Sequence, residues 1–224
     1  MSFIQSLKQS VEQVLDLGGP VVALLIAVSI LTASVFFYKL WQFQRAGVGR
    51  HKALQRAISA WDRNDRTEAA ALLSASTSYL APAFRMAMDH RTATDLRARI
   101  EAEAETRFAQ LERGFRLLDS VAQLAPLLGL FGTVLGMIEA FRSLQAAGSQ
   151  VDPSLLAGGI WVALLTTAVG LAVAMPTSVV LSWFESRMLA ERVLAERGLA
   201  VILTPTGASQ APESAGEQRV AYGA

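Results

Sequence analysis

The sequence predicts an all-α integral membrane protein: three transmembrane helices carrying a cytoplasmic helical extension, with the N-terminus periplasmic and the C-terminus cytoplasmic. Three observations carry this reading. First, 52% of the 224 residues are hydrophobic and only 17% are charged, and the apolar residues gather into long uncharged runs instead of lying at the spacing of a soluble core. Second, the segments between the runs show helical apolar spacing. Third, basic residues collect on one side of every run.

Residues 1–19 read as a periplasmic amphipathic helix. Phe3, Ile4, Leu7, Val11, Val14 and Leu15 share one face, with Lys8, Glu12 and Asp16 elsewhere. This suits a membrane surface and not a signal peptide, whose centre is apolar. Gly18, Gly19 and Pro20 end it. Residues 20–38 hold no charge and extend about 28 Å as a helix, close to the thickness of the hydrocarbon layer. They form the first transmembrane helix, closed by Lys39, Trp41 and Arg45 as interfacial anchors.

Residues 39–116 read as a cytoplasmic region of three or more helices. Leu54, Ile58 and Trp61 mark one stripe, and Leu96, Ile100, Phe108, Leu111 and Phe115 another. Turns are expected at 62–65 and at 74–82, the second with a Ser/Thr cluster and a proline. Gly114 alone is a weak breaker, so the last helix is expected to run unbroken into the next span. Trp61 and Tyr79 are taken as packing residues. Residues 117–141 are the second transmembrane helix and 142–152 a periplasmic loop. The third transmembrane helix, 153–184, starts well: Asp152 offers a capping acceptor and Pro153 suits the first helical position. It is uncharged and longer than one crossing needs, so it tilts, protrudes or bends at Pro176. Residues 185–203 are a polar cytoplasmic helical end, and 204–224 have the composition of a disordered tail.

Lys39, Arg45, Arg50 and Lys52 follow the first span, Arg107, Arg113 and Arg116 precede the second, and Arg187, Arg192 and Arg197 follow the third. The opposite flanks hold only Lys8 and Arg142. Basic flanks stay in the cytoplasm, which gives the stated orientation.

Several function classes fall away. A net charge of +1 gives no footprint for nucleic acid. No cysteine means no disulfide framework and no thiolate chemistry. His51 and His90 read as solvated surface residues without a second ligand at metal spacing. No nucleophile, base and orienting group converge, so neither an enzyme nor a cofactor is expected.

The second and third spans carry the distinctive residues. Ala122, Pro126, Gly129, Thr133, Gly136 and Ala140 follow at steps of three and four on one, and Gly159, Ala163, Thr166, Thr167, Gly170, Ala174, Thr177 and Ser178 on the other. Small residues at such spacing let membrane helices pack closely, and a threonine satisfies itself on the carbonyl of its own previous turn. Depth adds a second reading. With the spans centred at Gly129 and Leu171, Thr133 and Thr167 each lie about 6 Å towards the outer side, so the two hydroxyls share a level. In an oligomer they would form a polar ring in an apolar passage. Pro126 has no N–H for the carbonyl of Ala122, which membrane depth tolerates only beside protein or a wet cavity. Thr133, Thr167, Pro126, Gly129, Gly136, Ala163, Thr166 and Gly170 are therefore the candidate lining of such a passage, a proton pathway if the chain conducts protons. Asp119 and Glu139 lie near the two interfaces, as anchors or as acids at a pore mouth. No residue titrates between them, nor in the third span before Glu185, so if the chain conducts protons the titrating group must come from a partner.

Residues 125–134, APLLGLFGTV, with Gly136, Met137, Ile138 and Phe141, then Asp152-Pro153, Gly159-Ile160, Ala163-Leu164, Thr166-Thr167-Ala168, Gly170-Leu171 and Ala174-Met175-Pro176, resemble the MotA/TolQ/ExbB proton-channel family, and within it ExbB. The match is dense over 117–185. The resemblance implies an inner-membrane homopentamer around the single spans of an ExbD-like dimer that supplies an aspartate. It also implies a TonB-like protein that is energised to drive outer-membrane import. The family's pore threonines fall on Thr133 and Thr167. Many members carry a glutamate in the third span where this chain has Val162, so no glutamate role transfers. A TolQ-like subunit serving envelope integrity and division, and a non-conducting membrane scaffold, are the competing readings.

Overall fold

The computed structural model describes residues 2–89, 96–147 and 153–205, with the backbone alone at 2–18, 96, 147 and 155. The apolar face expected on residues 3–15, His90, the cap at Asp152, the loop beyond Ala147 and the tail beyond Pro205 lie outside this description. Every element among the described residues is helical: α1 (Ser2–Ala46), α2 (Lys52–Asp62), α3 (Arg66–Ser74), α4 (Ala81–Asp89), α5 (Leu96–Glu112), α6 (Phe115–Ala147) and α7 (Pro153–Leu203). Three of them, α1, α6 and α7, contain stretches long and apolar enough to cross a membrane.

Helix α1 is interrupted at Gly19, whose φ of 61° and ψ of −162° are closed to side-chain-bearing residues. Pro20 then opens the membrane-crossing part, where a missing N–H costs nothing. Gly114 is a stronger break than its sequence context suggests. Its φ is 98°, and α5 ends at Glu112 while α6 starts at Phe115, so the expected continuous helix is two helices. Pro126 and Pro176 both lie inside continuous helix.

The chain divides into two compact units. The first comprises Met1–Leu40 and Arg113–Glu185. Its core is made by Leu25, Val121, Ala125 and Ala174, flanked by Val21, Val28, Leu128, Val169 and Val173. Leu24, Ile30, Phe37, Leu127, Phe131, Leu164, Met175 and Val179 stand exposed around it. So broad an apolar surface belongs in lipid or against other subunits. Phe115 stacks on Phe184 with ring centroids 5.7 Å apart. Lys39, expected to anchor at the interface, is instead 2% exposed, with its amino group 5.7 Å from the centre of the Phe115 ring. A cation held over an aromatic face is stabilised by the ring quadrupole.

The second unit comprises Trp41–Glu112 and Ser186–Ala224. Leu54, Ala57, Trp61, Leu73, Leu80, Phe84, Ile100, Phe108, Met188 and Ile202 are buried in it. Trp61 packs as expected and also donates from its indole nitrogen to the Ile202 carbonyl at 3.2 Å. Asp65 caps α3 by accepting from the Glu68 N–H at 2.9 Å. That bond, with one from Thr67, holds its carboxyl below the ordinary range. Arg192 bonds both oxygens of Glu112 at 3.0 Å, bonds Glu105, and lies over the Phe108 ring.

Candidate functional site

The small residues of α6 and α7 meet each other. A β-carbon at Gly132 would sit 2.7 Å from Thr166, and one at Gly170 would sit 2.6 Å from the Ala125 carbonyl oxygen. Both distances are inside van der Waals contact, so only glycine allows the helices this approach. Gly129 abuts Thr166 and Thr167, Gly136 abuts Ala163, and Gly159 abuts Ala140.

Two hydroxyls of α7 converge on one carbonyl of α6. Thr167 donates to the Gly129 carbonyl at 3.2 Å. Thr166 divides its proton between Ala163 of its own turn, at 2.7 Å, and Gly129, at 3.3 Å. One turn along α6 from Gly129, Thr133 donates to the Leu130 carbonyl at 2.6 Å. Thr133 also borders an open groove of about 520 Å³ with Met137, Ile138, Phe141, Arg142 and Gln145.

The candidate lining residues thus divide into two sets. Gly129, Ala163, Thr166 and Gly170 are buried, and Gly136 half-buried, in the seam between α6 and α7. Thr133 and Pro126 are half-buried, and so is Thr167, which bonds across the seam to Gly129. Asp119 and Glu139 are exposed, and Asp119 accepts from the Gln123 amide at 2.7 Å.

The profile of the MotA/TolQ/ExbB proton channel family matches residues 53–197. The chain belongs to this family. Biopolymer transport protein ExbB-like 1 of Synechocystis is 34% identical over 164 residues, 70% of this chain and 63% of that protein. Biopolymer transport protein exbB1 of Vibrio cholerae is 48% identical over 67 residues, 30% of this chain and 29% of that protein. The Tol-Pal system protein TolQ of Haemophilus influenzae is 44% identical over 66 residues, 30% of this chain and 28% of that protein. The matched stretch is therefore under two thirds of each relative. With three helices long and apolar enough to cross a membrane, this member of the proton channel family is a multi-pass protein of the bacterial inner membrane.

This family member also holds a buried polar cluster that the sequence reading missed. His51, taken there for a surface residue, is 7% exposed. Its Nε2 is 2.7 Å from Glu191 and its Nδ1 is 3.1 Å from the Ser78 hydroxyl. Tyr79 donates to Glu191 at 2.9 Å, and the Gly49 N–H donates to Glu191 at 2.8 Å. Glu191 itself is 3% exposed, and its carboxylate is shared by three residues, Gly49, His51 and Tyr79. Burial and the neighbouring carboxylate push the Tyr79 phenol well above its ordinary range. The missed signal is positional. Phe184, Met188, Glu191, Ala195 and Ile202 recur at helical spacing, so Glu191 occupies a core position on an apolar stripe.

Proposed function

We propose that the chain is an ExbB-like subunit of a proton-driven, energy-transducing motor, assembled as a homopentamer around an ExbD-like partner whose aspartate carries the proton, and working with a TonB-like protein in outer-membrane import. The observation that supports this is the placement of Thr167 and Thr133 within one turn of the Gly129 carbonyl, with no acid on α6 between Asp119 and Glu139. Hydroxyls so placed accept and donate hydrogen bonds along a wet passage but hold no proton through a cycle. Within this reading, Thr133, Thr167 and Pro126 line the passage. Gly129, Gly136, Ala163, Thr166 and Gly170 bring its two walls together. Asp119 and Glu139 stand at its mouths.

The basic flanks support an N-terminus in the periplasm and the second unit in the cytoplasm. A TolQ-like client is the alternative, supported by similar identities to exbB1 and TolQ over similar lengths. The close α6–α7 seam favours a non-conducting scaffold only for the residues buried in it. Affinity purification in mild detergent with mass measurement tests the assignment. The reading expects a complex of several copies with a single-span, aspartate-bearing protein, and a homogeneous assembly lacking any such partner would overturn it.

A further inference from the structure

The membrane-crossing unit has a recess between α1 and α7 that shares no residue with the α6–α7 seam. Its volume is about 270 Å³, and Ser29, Thr32, Phe36, Ala172, Pro176 and Thr177 are among its lining. Both walls belong to one compact unit. Ser29 is the midpoint of the uncharged run 20–38, and Pro176 lies about 12 Å along α7 before Phe184, the end of the other run. The recess is thus at hydrocarbon depth, where every polar group needs a partner.

Two groups there lack one. Pro176 sits inside α7 and has no N–H to give the Ala172 carbonyl one turn back. Ala172 and Pro176 both line the recess, so this carbonyl opens beside it. The Ser29 hydroxyl, half-buried, has no hydrogen-bond partner among the described residues. Thr32 and Thr177 spend their protons on the carbonyls of Val28, at 2.8 Å, and Val173, at 2.7 Å, which leaves their oxygens as acceptors. A lipid acyl chain satisfies none of these groups. Water satisfies all of them: it donates to the carbonyl and to the threonine oxygens and accepts from Ser29, within the two to four polar partners that hold a buried water. We propose that the α1–α7 recess binds water within the membrane, with the Ala172 carbonyl and the Ser29 hydroxyl as its principal partners. This hydration stands apart from the passage assigned to α6 and α7 and does not depend on it.

The chain has no cysteine, so a single introduced thiol reports its own surroundings. Methanethiosulfonates react with the thiolate, which forms in water and is suppressed in apolar surroundings. The test is the rate at which methyl methanethiosulfonate modifies Ser29→Cys, Ile30→Cys and Leu31→Cys. The full chain is treated in the membranes in which it is made, then quenched, purified and read by intact mass. Ile30 and Leu31 lie at the depth of Ser29 and are 64% and 49% exposed, whereas Ser29 is half-buried. Ser29→Cys is expected to react about 10-fold faster than either, the reverse of the order of exposure. A rate at Ser29 equal to or below the other two would overturn the proposal and show that lipid or a neighbouring copy fills the recess. Pro176→Ala restores an N–H for the Ala172 carbonyl and is expected to bring the Ser29→Cys rate towards that of Ile30→Cys. An unchanged rate would overturn the part given to the carbonyl. If the Pro176 variant fails to assemble, the comparison of the three positions decides alone.

Discussion

The hydroxyl of Thr167 donates to the carbonyl of Gly129 at 3.2 Å, tying α7 to α6 at one level of the membrane-crossing unit. That bond needs the two backbones to approach more closely than side chains usually permit, and the glycines of the seam make the approach available. The polar element and the small-residue stripe are therefore parts of one device.

Glycine at position 170 is a prediction of this device. A methyl group there meets the Ala125 carbonyl oxygen and the Gly129 backbone, neither of which can rotate away. Gly170→Ala is expected to destabilise the protein by about 1–3 kcal/mol, the usual range for overpacking. Gly158→Ala has open space around it and serves as the control. Thermal unfolding of both variants in detergent decides, and equal stability of the two would contradict the close seam.

Removing Glu191 should damage the second unit. Glu191→Ala leaves His51, Tyr79 and the Gly49 N–H without their shared acceptor, and a buried polar group left unsatisfied costs about 1–3 kcal/mol. Glu191→Gln keeps one acceptor oxygen and should cost less. Comparison of the two unfolding transitions checks this, with a negligible loss in the alanine variant as the adverse result.

The same cluster sets a pH dependence. Burial and the Glu191 carboxylate favour the neutral phenol of Tyr79 in the folded protein. Its contribution to stability is then complete below about pH 10, the ordinary tyrosine value, and is lost as the pH rises above it. In a spectroscopic titration of the folded protein, Tyr79→Phe should leave the tyrosinate amplitude near that pH unchanged. A fall of about a third, one of the three tyrosines, would show that Tyr79 ionises normally.

Much of the architecture was legible in the sequence because membrane spans are written in long uncharged runs, and the turns at 62–65 and 74–82 are written in their residue types. Gly114 was misjudged because glycine is tolerated within helices, and only its φ of 98° reveals the break. Lys39 and His51 were misplaced for a different reason. Charged and polar residues beside a span are usually solvated, and their burial here depends on partners distant in sequence: Phe115 for Lys39, Glu191 for His51. The small stripes of α6 and α7 were visible as stripes, but spacing alone does not say whether they face each other, other copies or a passage. In the structure the glycines, Thr166 and the Thr167 hydroxyl face the opposing helix, while Thr133 bonds within α6 and is half-buried.

The most direct measurement is proton flux into vesicles holding the chain together with its co-purified aspartate-bearing partner. The wild-type complex is predicted to conduct, while the chain alone leaks little. Thr133→Val and Thr167→Val are predicted to reduce the flux of the complex to the level of the partner-free vesicles with assembly intact. Wild-type flux in both variants, or rapid pH-dependent flux through the chain alone, would contradict a passage lined by these hydroxyls and dependent on a partner's acid.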